Sequence, residues 1–121
     1  MPHPLYSDVF LDHFRNPRNV GELPPPAITV EASNPVCGDI LRLSVVWKDG
    51  RVEAASYKAR GCTASIAAGS AMTELITGKS REELAKVTAA DIESQAGGLI
   101  PESKHVAVLC VDAIRAACAQ K

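Results

Sequence analysis

Two cysteines sit in tight glycine turns, Asn34-Pro35-Val36-Cys37-Gly38-Asp39 and Arg60-Gly61-Cys62-Thr63-Ala64, and His105 opens the last apolar helical pattern. Thiolate sulfur and imidazole nitrogen are donors that zinc and the iron of iron-sulfur clusters accept. Asp39, two residues beyond Cys37, offers a weaker oxygen ligand. Cys37, Asp39, Cys62 and His105 are therefore the candidate metal or cluster ligands, on the condition that the fold brings them together. Two thiolates, one imidazole and one carboxylate would complete tetrahedral zinc, or give two ligands to each iron of a [2Fe-2S] unit. Cys62 directly precedes a predicted helix, whose unpaired N–H groups and positive dipole end favour a thiolate. Asp39 is the harder and weaker partner for iron, so it is the member expected to make a cluster easy to surrender.

Each residue also has a plainer reading. A turn cysteine is often a small apolar filler, and the twenty-four residues between Cys37 and Cys62 are not a finger-like spacing. Asp39 could close a turn through its side chain, and His105 could cap its helix. Cys110 falls within an apolar stripe and reads as core, and Cys118 reads as structural. His13 reads as a helix residue touching the turn that follows it, and His3 has no donor partner nearby in sequence. Lys58, Arg60 and Lys104 fit solvated surface charge better than a field around an anionic cluster.

The elements that must position these groups follow from local pattern. Ser7 or Asp8 caps a short helix carrying Val9, Phe10, Leu11 and Phe14, which Asn16-Pro17 ends. Pro24-Pro25-Pro26 is extended or turning, and Ile28 to Ala32 reads as a first strand. Ile40 to Trp47 and Arg51 to Ala59 are two further strands, with Asp49-Gly50 between them as a tight hairpin turn. After Cys62 the small residues Ala64 to Ala71 lead into Met72, Leu75 and Ile76, a helix able to lie close against a sheet, with Gly78 just past its end. Ser80-Arg81-Glu82-Glu83 is a capping box, and Thr88 with Asp91 starts another short helix. From about Lys104, Val106, Leu109, Cys110, Ala113, Ile114 and Ala117 recur on one helical face that should pack on the sheet. The fold class is α+β: a three-stranded antiparallel sheet covered by N-terminal and C-terminal helices.

The outer limits agree. A chain of 121 residues that is 46% hydrophobic fits one domain, 1–121, with a single core. A formal charge of −1 offers no general attraction for nucleic acid or anionic lipid. No apolar run approaches the roughly 18 residues of a membrane helix, and no signal-peptide pattern opens the chain. The expected compartment is cytoplasmic, where its four cysteines stay reduced.

Tyr6 with Asp12-His13, Asn16-Pro17-Arg18-Asn19-Val20-Gly21, the Cys37 and Cys62 turns, Ser70 and Asp112-Ala113-Ile114 occur in an order and spacing that resembles the U-type iron-sulfur cluster scaffolds. That family comprises IscU, SufU and the N-terminal domain of NifU, and the likeness spans nearly the whole chain. The resemblance implies a carrier and not an enzyme. Sulfur arrives as a persulfide from a cysteine desulfurase, joins iron as a transient [2Fe-2S] cluster, and leaves for apo iron-sulfur proteins. It also implies that Cys37, Asp39, Cys62 and His105 hold the cluster, and that zinc can fill the same site. Two departures stand out. Where the family reads His-Cys this chain reads His105-Val106, so the thiol that the resemblance would make the sulfur acceptor is missing. Cys110 lies one helical turn, about 6 Å, further on. In addition, Leu99-Ile100-Pro101-Glu102-Ser103-Lys104 replaces the segment that an Hsp70-type chaperone reads in the resembled bacterial proteins. An alternative function is a zinc-binding sulfur acceptor or regulator of a desulfurase that builds no cluster. An enzyme with a Cys nucleophile and His base fits least, because Asp39 lies beside the nucleophile and not behind the base.

Overall fold

The structure is a computed structural model that describes residues 6–34 and 38–119. Its elements run α1 (Asp8–Arg15), β1 (Ile28–Asn34), β2 (Asp39–Lys48), β3 (Arg51–Arg60), α2 (Thr63–Ile76), α3 (Arg81–Ala85), α4 (Ala89–Gln95), and a 3₁₀ turn at Pro101–Ser103 leading into α5 (Lys104–Ala119). The three strands form one antiparallel sheet, as expected, and their order is β1-β2-β3. Asp49 and Gly50 both adopt positive φ, 54° and 76°, which is what a two-residue hairpin turn of right-handed twist requires. The register places Val30 opposite Leu43 and Leu43 opposite Tyr57.

Leu41, Leu43 and Val45 of β2 point toward the helices and are buried with Tyr57 of β3. α5 packs on β1 and β2, and α2 packs on β3. The alternate residues face the other way, where the α1–β1 connection meets them: the Ser56 hydroxyl donates to the Gly21 carbonyl at 2.9 Å, and Glu22 pairs with Arg42 at 3.0 Å. The small-residue run of α2 has its expected use, since Ala64, Ala67, Ala68, Gly69 and Ala71 are all buried. Tyr57 is locked under this helix, donating to the Ile66 carbonyl at 2.6 Å, and burial pushes its phenol up to about 12. The predicted capping box of Ser80 with Glu83 forms, and Thr88 starts α4 with a second box closed by Asp91.

α1 buries only part of its apolar set. Phe10 is buried, but Val9 and Phe14 stay exposed, and the second buried side chain is His13. His13 does approach Arg18 in the following turn, at 3.4 Å, yet its main contacts lie across the interface on α2. Its Nδ1 is 2.8 Å from the Ser70 Oγ and its Nε2 is 3.4 Å from Glu74. Ser70 Oγ also accepts the Arg18 backbone N–H at 2.9 Å, and the Arg18 guanidinium, which can only donate, lies 3.4 Å from His13 Nδ1, an arrangement that suits Nδ1 as acceptor with the ring proton on Nε2 facing Glu74. Burial holds His13 below the ordinary imidazole range, opposed by Glu74 and reinforced by Arg18, with Asp12 and the Gln95 carbonyl pulling the other way. A lowered folded-state value means the neutral ring's stabilisation is complete above the ordinary 6.5 and is lost as pH falls from there through the folded value. Thermal unfolding compared at about pH 7 and about pH 5 should show a drop in the parent protein that His13→Gln, which keeps an acceptor and a donor, reduces.

Cys110 is buried in the core as its stripe predicted, and burial pushes its thiol up to about 12. Cys118 is half-buried, with its thiol raised by the same cause. Among the described residues no helix is long and apolar enough to cross a membrane.

Candidate metal centre

Antiparallel pairing brings the start of β2 and the end of β3 to one end of the sheet, where Ile40 lies opposite Arg60. α2 begins immediately after β3, and α5 starts over the same end. These connections gather three of the four candidate ligands. Asp39 is the first residue of β2, Cys62 is the N-cap of α2, and His105 is the second residue of α5. One ligand atom from each lies within 4.8 Å of the others. Cys37 falls in residues 35–37, outside the described residues. The residues on either side of that segment are joined, Gly38 N–H donating to the Asn34 carbonyl at 2.7 Å.

Burial grades across the cluster. Asp39 is 5% exposed, His105 is half-buried and Cys62 is exposed. His105 Nε2 is 3.0 Å from Asp39 Oδ2, and the Ser65 hydroxyl donates to the same oxygen at 3.4 Å. Cys62 Sγ is 3.6 Å from the Ser65 Oγ. Nothing in the sequence singles out Ser65 within the small-residue run of α2 beyond a hydroxyl three positions after a candidate ligand. A carboxylate, an imidazole and a thiol converging at a half-open edge suit a borderline cation such as zinc or iron. A cleft of about 320 Å³, lined in part by Asn34, His105, Val108 and Asp112, opens beside the cluster.

The remaining predicted groups lie elsewhere. His13 belongs to the α1–α2 interface, and His3 is outside the described residues. Lys104 pairs with Glu93 at 3.9 Å, and Lys58 and Arg60 line a shallow groove with Glu31 and Arg42, as expected of surface charge. Val106 is 1% exposed and turned into the core, while its neighbour His105 faces the cluster.

A three-stranded sheet with helices packed on it and a thiol-imidazole-carboxylate cluster at its end define a small α+β protein with the donor set of a candidate metal site. The chain belongs to the NifU-like N terminal domain family, whose model matches residues 5–120. It is 40% identical over 113 residues to the iron-sulfur cluster assembly scaffold protein IscU 1 of Archaeoglobus fulgidus, covering 93% of this chain and 74% of that one. It is also 40% identical over 116 residues to the IscU scaffold protein of Azotobacter vinelandii, covering 93% and 90%. The fold matches the crystal structure of a candidate scaffold protein for the SUF system from Fervidobacterium islandicum, with a TM-score of 0.75 at 19% identity over 98% of this chain and 99% of that one.

Proposed function

We propose that this chain is an iron-sulfur cluster assembly scaffold. It takes sulfur from a cysteine desulfurase and combines it with iron. It then holds a labile [2Fe-2S] cluster on Cys37, Asp39, Cys62 and His105, and passes the cluster to apo-proteins. Residues 1–121 act as one domain in this role, working in the cytoplasm, with release open to an Hsp70-type chaperone. The observation that carries the reading is the convergence of Asp39, Cys62 and His105 within 4.8 Å in a chain of this family. The cluster is cargo: the chain supplies donor atoms and a half-open edge, and it performs no catalysis of its own.

A second reading, a zinc-bearing sulfur acceptor or desulfurase regulator, draws support from α5. Val106 faces the core, and Cys110 is buried with its thiol raised, so α5 presents no thiol beside His105.

Anaerobic reconstitution with iron, cysteine and a desulfurase separates the two, because a cluster absorbs visible light and zinc does not. The expected result is a visible spectrum that is lost in Cys62→Ala; a colourless protein carrying stoichiometric zinc would favour the regulator. Asp39→Ala is expected to lengthen the lifetime of the reconstituted cluster several-fold, on the order of a kcal/mol in the barrier to loss, because the hard, readily exchanged carboxylate is the point at which the cluster is released. Faster loss than from the parent protein would overturn the release role of Asp39.

A further inference from the structure

Ser65 is 2% exposed and sits between two of the candidate ligands. It is the third residue of α2, and its backbone N–H donates to the Cys62 carbonyl at 3.0 Å, so the helix N-terminus is closed without the cysteine side chain. Cys62 makes no side-chain capping bond. Among the described residues the Ser65 hydroxyl is the polar side-chain partner of the Cys62 sulfur, at 3.6 Å, and it donates to Asp39 Oδ2 at 3.4 Å.

We propose that Ser65 is a positioning residue that holds the Cys62 sulfur and the Asp39 carboxylate toward one another before a metal or cluster arrives. The proposal rests on the ligand reading given above. A hydroxyl donates one hydrogen bond and accepts others, so it can serve a carboxylate and a thiol together. The need for a tether is plain from exposure. Asp39 is enclosed and already engaged by His105, whereas Cys62 is an exposed side chain with staggered rotamers open to it. Fixing that rotamer in the empty protein removes part of the ordering cost from the binding step, and partners of this kind typically account for 10- to 100-fold in metal affinity. Ser65 does not itself ligate. It works by presenting atoms that do.

The test uses the metal-free full chain and cobalt(II) as the probe. Ser65→Thr and Ser65→Val add nearly the same volume and differ in the hydroxyl, so the pair isolates the hydrogen bonds. Ser65→Ala, which adds no volume, gives the same comparison with the parent protein where the larger side chains disturb folding. The expected result is parent-like affinity for the Thr variant and an affinity about tenfold weaker for the Val and Ala variants. The sulfur-to-cobalt charge-transfer band should persist in each, because the donors are unchanged. Equal affinity across parent, Ala, Thr and Val overturns the role of Ser65 while leaving the ligand reading intact. A parent protein whose cobalt spectrum lacks that band and is unaltered by Cys62→Ala overturns both, since no sulfur would then be there to position.

Discussion

Gly61→Ala is expected to lower cobalt or zinc affinity by on the order of a hundredfold while leaving the helical content of the protein intact. The reason is geometric. A Cβ at this position would stand 2.3 Å from Asp39 Oδ1, 2.7 Å from its Cγ and 3.0 Å from the Ser65 Oγ. Gly61 also holds φ at +153°, a conformation that residues with a side chain rarely adopt. Asp39 cannot yield by swinging outward at no loss, because its carboxylate is enclosed and bonded to His105 and Ser65. The added methyl therefore expels the Asp39 carboxylate from the cluster of donors, or bends the chain at Gly61 and carries Cys62 away from it. Either outcome separates the donors. The backbone strain adds about 1–3 kcal/mol of destabilisation, to be read from thermal or denaturant unfolding. Parent-like affinity in the alanine variant would show that Asp39 does not ligate from the position it holds here.

That dependence of a candidate ligand on a glycine 22 residues away marks the limit of what could be read from the chain itself. Features written in contiguous residues were legible. Asp49-Gly50 specifies a turn through backbone preference alone, Ser80 with Glu83 and Thr88 with Asp91 close their boxes within one helical turn, and the stripe from Val106 to Ala117 can bury only one face. The same locality let β2 and β3 be read nearly to their ends. The partners of His13 were not legible, because Ser70 lies 57 residues away and nothing in α1 distinguishes a histidine aimed across an interface from one leaning on the next turn. Nor was the exposure of Val9 and Phe14, which follows from the helix showing only part of its circumference to α2.

The candidate site divides along the same line. The donor types at Asp39, Cys62 and His105 could be read from chemistry, and their order from resemblance. Their convergence is a product of antiparallel pairing and of two helices starting at one sheet end, which no local pattern encodes. Ser65 carries no signal of its own in the sequence, because its two partners are defined only once that convergence exists. Local propensity describes elements, whereas a site made of element ends is described by topology.

Gly69→Ala is the complementary perturbation, expected to destabilise the fold by about 2–3 kcal/mol and to lower the melting temperature on the order of 10 °C. In an exposed helix the same change would stabilise by about 1 kcal/mol, since alanine is the better helix former. Here a Cβ would lie 2.3 Å from Tyr57 Cε2 and 2.4 Å from its Cδ2, far inside contact distance. The ring cannot step aside. Its hydroxyl is held by the Ile66 carbonyl, and its backbone N–H and C=O are bonded to Asn19 and Gly21 at 2.9 and 2.8 Å. Relief must come from α2 lifting off β3, which also draws its N-terminus, and Cys62 with it, away from Asp39. The variant should therefore lose metal affinity as a consequence of lost packing, whereas Gly61→Ala loses it by displacing the donors directly. Pairing Gly69→Ala with Tyr57→Leu, which removes the ring edge, should restore part of the loss, giving a combined cost below the sum of the two single changes. Strict additivity, or a gain in stability from Gly69→Ala alone, would mean that the ring and the helix are not in the close contact from which the position of Cys62 follows.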